Sequence, residues 1–309
     1  MAEKTSGGAA SAHPFETLKD FRVKEILGND VARKVVFVRA ERTAGDAAEE
    51  AVIKFERPAF DEDALKRFVS EEARLSVEVV NDIYGTYHVT VPAEANRLFS
   101  TVIAPASQKH VDKYRFRPSF FVAETPRLYA DVVLPYVETQ EMRHLTWVYN
   151  LLDGKAEKER VVFEDTDADV GFVLAPDLKW DGKSADTLYL LATVRRRDLK
   201  SIRDLRASHL PLLRNILKKG GEAIEARYGV PVDRLRVYFH YLPSFYHLHV
   251  HFVALAFDAP GQVAGKAHLL ADVIDRLERE PHCYERATLH YALKEDDPLL
   301  AAIRAQPLG

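Results

Sequence analysis

Four histidines lie within the twelve-residue segment 240–251, His-Tyr-Leu-Pro-Ser-Phe-Tyr-His-Leu-His-Val-His. Three of them, His247, His249 and His251, alternate with apolar residues. Because side chains alternate between the two faces of a β-strand, this pattern predicts a strand with three imidazoles on one face. The ordinary pKa of imidazole lies close to neutrality, so the segment indicates chemistry rather than packing alone.

The spacing of these histidines leaves three interpretations. A strand that merely exposes histidines to solvent is disfavoured by the strict alternation and by a fourth imidazole, His240, on the neighbouring strand. A zinc site is disfavoured because residues i and i+4 of a strand lie about 13 Å apart, whereas zinc–nitrogen bonds are about 2.0 Å long. Nucleophilic catalysis, in which a neutral imidazole attacks phosphorus, is favoured. We therefore predict neither a metal nor a cofactor.

The periodicity of apolar residues predicts the elements that position this segment. Residues 235–241 alternate as a strand, and Pro243 and Ser244 supply a turn, so the histidine strand is the expected partner of a hairpin. Residues 208–228 have helical spacing. Further strands are predicted at 147–152, 159–163, 171–174 and 187–195. The sequence thus predicts an α+β fold with a mixed, mostly antiparallel sheet.

Composition and proline content predict how the chain is divided. Residues 1–13 are small and polar, which is typical of a disordered tail. Residues 14–117 are assigned to a smaller α+β N-terminal domain and residues 141–309 to a catalytic domain. Between them, residues 118–140 contain three prolines in an irregular pattern and are predicted to form a hinge.

The overall charge and the cysteine content limit the possible functions. The 309 residues carry a formal net charge of −4, which argues against a chain-wide basic surface for long nucleic acid but allows a pocket for one nucleotide. The single cysteine, Cys283, cannot form a disulfide within the chain and fits a reducing compartment. No apolar run approaches the length of a membrane span. We expect a soluble protein of the cytoplasm or the nucleus.

The histidine segment also carries a family resemblance. The motif His247-Leu-His-Val-His251-Phe-Val resembles the signature of the histidine-triad superfamily of nucleotide hydrolases and transferases. The surrounding sequence resembles one branch of that superfamily, the scavenger mRNA decapping enzymes. The resemblance covers most of residues 140–309 and is thinner in the N-terminal half. Its blocks are Asn81-Asp-Ile-Tyr-Gly-Thr-Tyr-His88, Trp147-Val-Tyr-Asn-Leu-Leu-Asp, Pro176-Asp-Leu-Lys-Trp180, Ser201-Ile-Arg-Asp-Leu, Leu210-Pro-Leu-Leu-Arg-Asn-Ile-Leu217, Ala267-His-Leu-Leu-Ala and Ala292-Leu-Lys-Glu-Asp-Asp-Pro-Leu-Leu.

The resemblance implies a fold, an activity and a partner. It implies a histidine-triad-like C-terminal domain in a homodimer whose N-terminal domains are exchanged. It implies hydrolysis of the 5′–5′ triphosphate of 7-methylguanosine cap dinucleotides and short capped RNA, through a nucleotidyl-histidine intermediate. Two alternatives remain at this point: a histidine-triad hydrolase of other dinucleoside polyphosphates, and a cap-binding module without turnover.

The resemblance also implies roles for individual residues. His249 is implied as the nucleophile, with His240, His247 and His251 around it. Trp147 is implied as the ring that stacks on the cationic methylguanine, and Glu157 as the carboxylate that accepts from its N–H groups. The further substrate-binding residues that it implies are Asp177, Lys179, Ser244 and Lys266.

Two positions depart from the better-known members of the family. Phe245 stands where they carry a tyrosine beside the phosphates, so one hydroxyl contact is expected to be missing. Lys266 stands at an arginine position, where lysine keeps the charge but loses the bidentate geometry of a guanidinium. We expect activity to survive both changes, with an altered affinity for phosphate.

Overall fold

The computed structural model describes residues 15–44, 47–58, 60–178, 180, 182–259 and 261–306, without the side chains at positions 44, 47 and 140–144. The described chain divides into two compact units between Phe116 and Arg117. All strand pairings within the described ranges are antiparallel. None of the helices in these ranges is long and apolar enough to cross a membrane. The predicted α+β class with antiparallel sheets is confirmed.

The N-terminal unit is built on a four-stranded sheet in the order β1-β2-β3-β6. Its elements are β1 (Phe21–Asp30), β2 (Val35–Ala44), β3 (Ala47–Glu56), α1 (Glu62–Phe68), β4 (Arg74–Asn81), β5 (Tyr84–Thr90), β6 (Phe99–Ile103) and α2 (Gln108–Tyr114). Val52 and Ile53 of β3 point to opposite faces and join two separate apolar clusters. On one face Val52 packs with Leu27 and with Val111 of α2, so that helix covers the sheet.

Strands β4 and β5 pair only with each other in the described part of the chain, and they form a hairpin. Every residue of both strands is exposed. The exposed side chains include Leu75, Val77 and Val80, each at least 60% accessible. An isolated two-stranded hairpin is marginally stable in water, and contiguous exposed apolar residues mark an interaction surface.

The C-terminal unit carries a six-stranded sheet in the order β13-β11-β12-β10-β9-β8 and a separate β14-β7 pair. Its strands are β7 (Ser119–Glu124), β8 (Phe163–Glu164), β9 (Phe172–Pro176), β10 (Tyr189–Val194), β11 (Leu235–His240), β12 (His249–Ala254), β13 (Ala267–Leu269) and β14 (Leu289–Lys294). Its helices are α3 (Pro126–Leu128), which continues through a π-helical turn (Tyr129–Val133) into α4 (Leu134–His144), then α5 (Thr146–Leu152), α6 (Leu210–Tyr228), α7 (Leu270–Arg279), α8 (Cys283–Arg286) and α9 (Pro298–Arg304).

The long helix α6 packs against the histidine strand, and the predicted helix over 208–228 is thereby confirmed. A side chain at Gly220 would place its Cβ 2.7 Å from the ring of Phe252, so only glycine allows the helix to lie this close to β12. Gly229 ends the helix in the left-handed conformation, with φ of 69°, and its N–H donates to the carbonyl of Glu225. Strand β12 is buried along its whole length.

Two predicted strands differ from the structure. Of the predicted strand over 159–163, only Phe163 lies in a strand, because residues 158–160 form a 3₁₀ turn. Residues 146–152 form helix α5, so the predicted strand over 147–152 is wrong. The buried residues of α5 are Val148, Leu151 and Leu152, whose spacing of three and four residues matches one helical face. In so short a segment the same apolar content suits a buried strand, and only packing decides between the two.

The segment 118–140, which was expected to be irregular, contains regular structure, and its role as a hinge stays a prediction. Strand β7 pairs along its length with β14, and residues 126–140 are helical. Pro126 lies in the first turn of α3, where a proline costs no hydrogen bond because the N–H there has no helical partner. Pro135 directly follows the π-helical turn, so its missing N–H falls where the hydrogen-bond pattern of the helix changes. Neither proline therefore interrupts the helical structure of this segment.

Candidate active site

The histidine segment forms the predicted hairpin between β11 and β12. Tyr238 of β11 pairs with His251 of β12, and Leu235 pairs with Ala254. Strand β12 begins at His249, so His249 and His251 share a face of the strand, whereas His247 lies just before it. All four histidines of the segment are buried. The hairpin prediction is confirmed, but one of the three alternating imidazoles is not part of the strand.

Hydrogen bonding determines which nitrogen of His249 can react. The distance from Nδ1 of His249 to the backbone carbonyl oxygen of His247 is 2.8 Å. A carbonyl can only accept, so Nδ1 carries the proton and Nε2 of the neutral ring has the lone pair. Nε2 is buried and has no hydrogen-bond partner among the described residues. Burial lowers the pKa of His249 to about 4, which keeps the ring neutral and nucleophilic at neutral pH.

His247 is held by the neighbouring strand end. Its Nε2 donates to the carbonyl oxygen of Val194 at 2.8 Å, and its ring meets Tyr149 edge to face at 5.8 Å. Burial lowers the pKa of His247, and the hydrogen bond to Val194 only partly opposes this. A neutral His247 therefore anchors the backbone carbonyl to which His249 donates.

His251 is enclosed by two tyrosines and a histidine. The hydroxyl of Tyr189 lies 2.9 Å from Nδ1 of His251, and the ring of Tyr238 stacks on the imidazole with centroids 5.0 Å apart. The centroid of His240 lies 4.1 Å from that of His251. Burial raises the pKa of Tyr189, so its hydroxyl remains a proton donor. With His249, whose ring centroid lies 5.0 Å from that of His251, three imidazoles and two phenols thus form one polar cluster in a buried site.

The loop after β12 passes directly over His240. A Cβ at Gly261 would lie 2.7 Å from Nε2 of that histidine, and Gly261 has a φ of 93°, so glycine is required on both counts. The same loop leads to Lys266, which is exposed and whose carbonyl accepts from the N–H of Tyr241 at 2.8 Å. The implied phosphate-binding lysine thereby lies next to the strand that carries His240.

Trp147 is connected to His249 through Phe245. Trp147 is 46% exposed on helix α5, and its ring meets Phe245 edge to face at 5.0 Å. Phe245 in turn lies flat on His249, with centroids 4.0 Å apart and planes 14° from parallel. The structure therefore brings the implied base-stacking ring and the implied nucleophile into one row of aromatic rings.

Two further implied residues, Glu157 and Asp177, lie near the end of strand β9. The carboxylate of Glu157 accepts from Arg160 at 2.6 Å, and Arg160 also donates to the carbonyl of Pro176 at 2.9 Å. Asp177 follows directly, with its N–H donating to the carbonyl of Tyr189. Arg160 thus brings Glu157 close to the end of the strand that carries Asp177.

The last two implied substrate-binding residues are Ser244 and Lys179. Ser244 is exposed in the turn between β11 and β12. Lys179 lies outside the described residues. In the part of the chain that is described, no group of three or more histidine, cysteine, aspartate or glutamate side chains could hold a metal ion.

Sequence analysis missed the residues that support the histidines from behind. Tyr189 is separated from His251 by 62 residues. Tyr238 alternates with His240 in the sequence, which was a usable signal. A buried ion pair between Glu124 and Arg203 also went unnoticed, because its partners are 79 residues apart.

Comparison with known proteins agrees with this geometry. Residues 146–266 match the family model for the scavenger mRNA decapping enzyme C-terminal binding domain, and residues 16–117 match the N-terminal model of the same enzyme. A protein from Bos taurus named m7GpppX diphosphatase is 47% identical over 301 residues, which are 96% of this chain and 89% of the relative. The chain belongs to the scavenger mRNA decapping enzyme family. The resemblance proposed from the sequence is confirmed.

The family extends over distant organisms. The m7GpppX diphosphatase of Homo sapiens is 45% identical over 287 residues, covering 92% of this chain and 85% of that protein. The m7GpppX diphosphatase of Schizosaccharomyces pombe is 36% identical over 292 residues, covering 93% and 95%. The similarity therefore spans both units, including the N-terminal one in which sequence motifs were sparse.

Proposed function

We propose that this chain hydrolyses the 5′–5′ triphosphate of 7-methylguanosine cap dinucleotides and short capped RNA in mRNA decay. The products are 7-methylguanosine monophosphate and a nucleoside or oligonucleotide diphosphate. The name of the relatives, m7GpppX diphosphatase, supports the reaction. The observation that carries the mechanism is the tautomer of His249, whose buried Nε2 has its lone pair directed away from the Nδ1–H···O bond.

The reaction follows from that lone pair. Nε2 of His249 attacks the phosphorus attached to methylguanosine, forming an N–P bond while the bond from that phosphorus to the bridging oxygen breaks. The diphosphate leaves with that oxygen, and the neighbouring His240 and His251 stabilise its developing charge by donating hydrogen bonds. Water then attacks the phosphorus, the N–P bond breaks, and the neutral His249 is regenerated.

The methylated base is recognised at Trp147, which contacts Phe245 on the side away from His249. The cationic 7-methylguanine ring stacks on the exposed face of Trp147. The carboxylate of Glu157, held by Arg160, accepts from the N–H groups of the base edge. Asp177 and Lys179 complete the pocket, with Lys179 near the phosphates. Ser244 and Lys266 supply further phosphate contacts.

The test compares 7-methyl-GpppG with unmethylated GpppG. Wild-type protein should release 7-methylguanosine monophosphate and GDP, identified by chromatography, and should turn over GpppG far more slowly. His249→Asn should fold and bind the cap but not cleave it. Equal turnover of the two substrates would support a general dinucleoside polyphosphate hydrolase instead. Binding without any product would support a cap-binding module.

We further propose a histidine-triad-like fold for the C-terminal unit and a homodimer in which N-terminal units are exchanged. The buried histidine hairpin in an antiparallel sheet supports the fold. The hairpin of β4 and β5 supports the dimer, because its side chains are exposed throughout and include a row of apolar residues. A partner copy that covers this hairpin would supply the burial that it lacks.

Light scattering coupled to size exclusion tests the dimer. Wild type should elute at twice the mass of one 35.0 kDa chain. Replacing Leu75 and Val77 together by glutamate should yield monomers, whereas Val31→Glu, at a similarly exposed position outside the hairpin, should not. A monomeric wild type would contradict the dimer without affecting the proposed reaction.

A location in the cytoplasm or the nucleus is also proposed. The single cysteine, Cys283, is compatible with a reducing compartment. Imaging a fluorescent fusion together with compartment markers tests this assignment, and accumulation in an oxidising compartment would contradict it.

A further inference from the structure

Among the described residues, the closest ring contact of His249 is a flat one with Phe245. The two rings are nearly parallel, with centroids 4.0 Å apart. His251, in contrast, meets His249 edge to face at 5.0 Å. Phe245 therefore covers a face of the imidazole rather than an edge, and leaves the in-plane direction of the Nε2 lone pair to the substrate.

Phe245 is itself held from behind by helix α5. It packs against a small apolar cluster that is separate from the main core and consists of Leu145, Val148, Leu151, Leu152 and Val173. It also meets the edge of Trp147 at 5.0 Å. Because rings locked by packing keep their rotamers, the position of Phe245 is determined by α5 rather than by the turn that contains it.

The hydrogen bonding of His249 leaves the orientation of its ring incompletely determined. One bond, from Nδ1 to the carbonyl of His247, fixes the tautomer but still allows the ring to swing about that bond. Nε2 has no partner among the described residues that could stop such a swing. A flat aromatic surface on one side does stop it, and it also excludes water from that face.

We propose that Phe245 is a positioning residue for the reaction, because its ring face orients the His249 imidazole and keeps water from it. Its contact with Trp147 links this orientation to helix α5, which carries the base-stacking ring. This inference rests on the proposed nucleophilic role of His249. The positioning role belongs to the ring face of Phe245, which phenylalanine and tyrosine share. The missing hydroxyl therefore does not impair the positioning of His249.

Within the described residues, His247 and His251 are ionisable neighbours of His249. Burial is the main cause that lowers the pKa of His249; the hydrogen bond to the carbonyl of His247 raises this pKa, and a positive charge on the His247 ring lowers it. His251 lies at 5.0 Å and contacts His240 in turn. Removing the ring of Phe245 readmits water to one face of His249, so the pKa of His249 should rise toward its ordinary value of 6.5.

The experiment compares Phe245→Leu, Phe245→Ala and Phe245→Tyr in the full-length protein. Histidine-labelled NMR titration gives the pKa and tautomer of His249, whose signals are assigned by their loss in His249→Asn. Steady-state hydrolysis of 7-methyl-GpppG gives kcat and KM separately. Phe163→Ala serves as a matched control, since Phe163 is also a half-buried phenylalanine of the C-terminal unit and contacts only Phe172 among the ring pairs of the described chain.

In the leucine and alanine variants, kcat should fall about tenfold or more with KM changed less than about threefold, and the pKa of His249 should rise by about one pH unit. Phe245→Tyr should retain wild-type kcat and pKa, and Phe163→Ala should retain both as well. An unchanged kcat and pKa in folded Phe245→Leu, or a change in KM alone, would overturn the proposal. Because the NMR readings need no substrate, they remain decisive even if His249→Asn proves active and the nucleophile assignment fails.

Discussion

The buried ion pair behind the histidine hairpin should be among the most sensitive points of the C-terminal unit. Arg203 donates to the Glu124 carboxylate at 2.5 and 2.8 Å, and both side chains are at most 1% accessible. The same carboxylate accepts from the hydroxyls of Tyr241, at 2.5 Å, and Tyr291, at 2.8 Å. Arg203 also donates to three backbone carbonyls, including that of Tyr284. The network thereby ties β7 and β14 to the end of β11.

Glu124→Gln removes the negative charge and leaves the guanidinium of Arg203 buried without a counter-ion, although its hydrogen bonds to backbone carbonyls remain. Breaking a buried ion pair in this way costs about 3–5 kcal/mol of the free energy of unfolding. Natural domains are stable by only about 5–15 kcal/mol, so the variant should still fold. For a unit of this size the loss corresponds to a decrease in Tm of roughly 6–20 °C.

Tryptophan fluorescence during urea unfolding is the appropriate assay. The two tryptophans of the chain, Trp147 and Trp180, both belong to the C-terminal unit, so the signal reports on that unit alone. Trp180 is only 8% accessible and should change its emission strongly on unfolding. The midpoint and the slope together give the free energy of unfolding.

Asp131→Asn provides the matched control. Asp131 pairs with Arg127 at 3.4 Å, but the two side chains are 55% and 89% accessible, so its loss should cost less than about 0.5 kcal/mol. Combining Glu124→Gln with Arg203→Met should cost less than the sum of the two single changes, because neither charge is then left unpaired. A loss below about 1 kcal/mol for Glu124→Gln alone would refute the reasoning.

Three further predictions concern the histidines and their neighbours. In the His249→Asn background, Trp147→Ala should weaken binding of 7-methyl-GpppG about tenfold in a titration, since a desolvated cation–π contact is worth about 1–2 kcal/mol. Tyr189→Phe removes the hydroxyl at Nδ1 of His251 and should lower kcat about tenfold in steady-state assays, with KM nearly unchanged. The pKa of His249 is about 4 in the folded protein and 6.5 in the unfolded chain, so the unfolded chain binds more protons between these pH values. The free energy of unfolding should therefore fall as the pH drops from 6.5 toward 4, by at most about 3 kcal/mol. In urea unfolding, the midpoint of His249→Asn should lack this contribution to the pH dependence.

The sequence by itself determined the reactive element and the family. Strict alternation of His249 and His251 with apolar residues suits only a strand, since the side-chain period of a strand is two. The turn at Pro243 and Ser244 then required a hairpin with the preceding strand, and the pairing of Tyr238 with His251 confirms it. These features are local, so a short stretch of sequence contains all the information that they need.

The local sequence pattern did not predict secondary structure correctly where a short segment suits more than one type and tertiary packing decides between them. Trp147 was assigned to a strand but lies on helix α5. A seven-residue apolar segment is compatible with a strand or a helix, and the packing of Val148, Leu151 and Leu152 in one apolar cluster favours the helix. Pro126 and Pro135 indicated an irregular linker, but Pro126 begins a helix and Pro135 follows a π-helical turn within the same helical run.

Only the tertiary structure decided how the site works, because its decisive contacts join residues far apart in the chain. The hydroxyl of Tyr189 reaches His251 across 62 positions, and Glu124 reaches Arg203 across 79. The position of the Phe245 ring could not be predicted from the sequence either, although Phe245 is only four residues from His249. The ring lies flat on the imidazole because it packs against the apolar residues of helix α5. The sequence placed His249 in the histidine segment, and the packing around it determined the tautomer, pKa and orientation of that histidine.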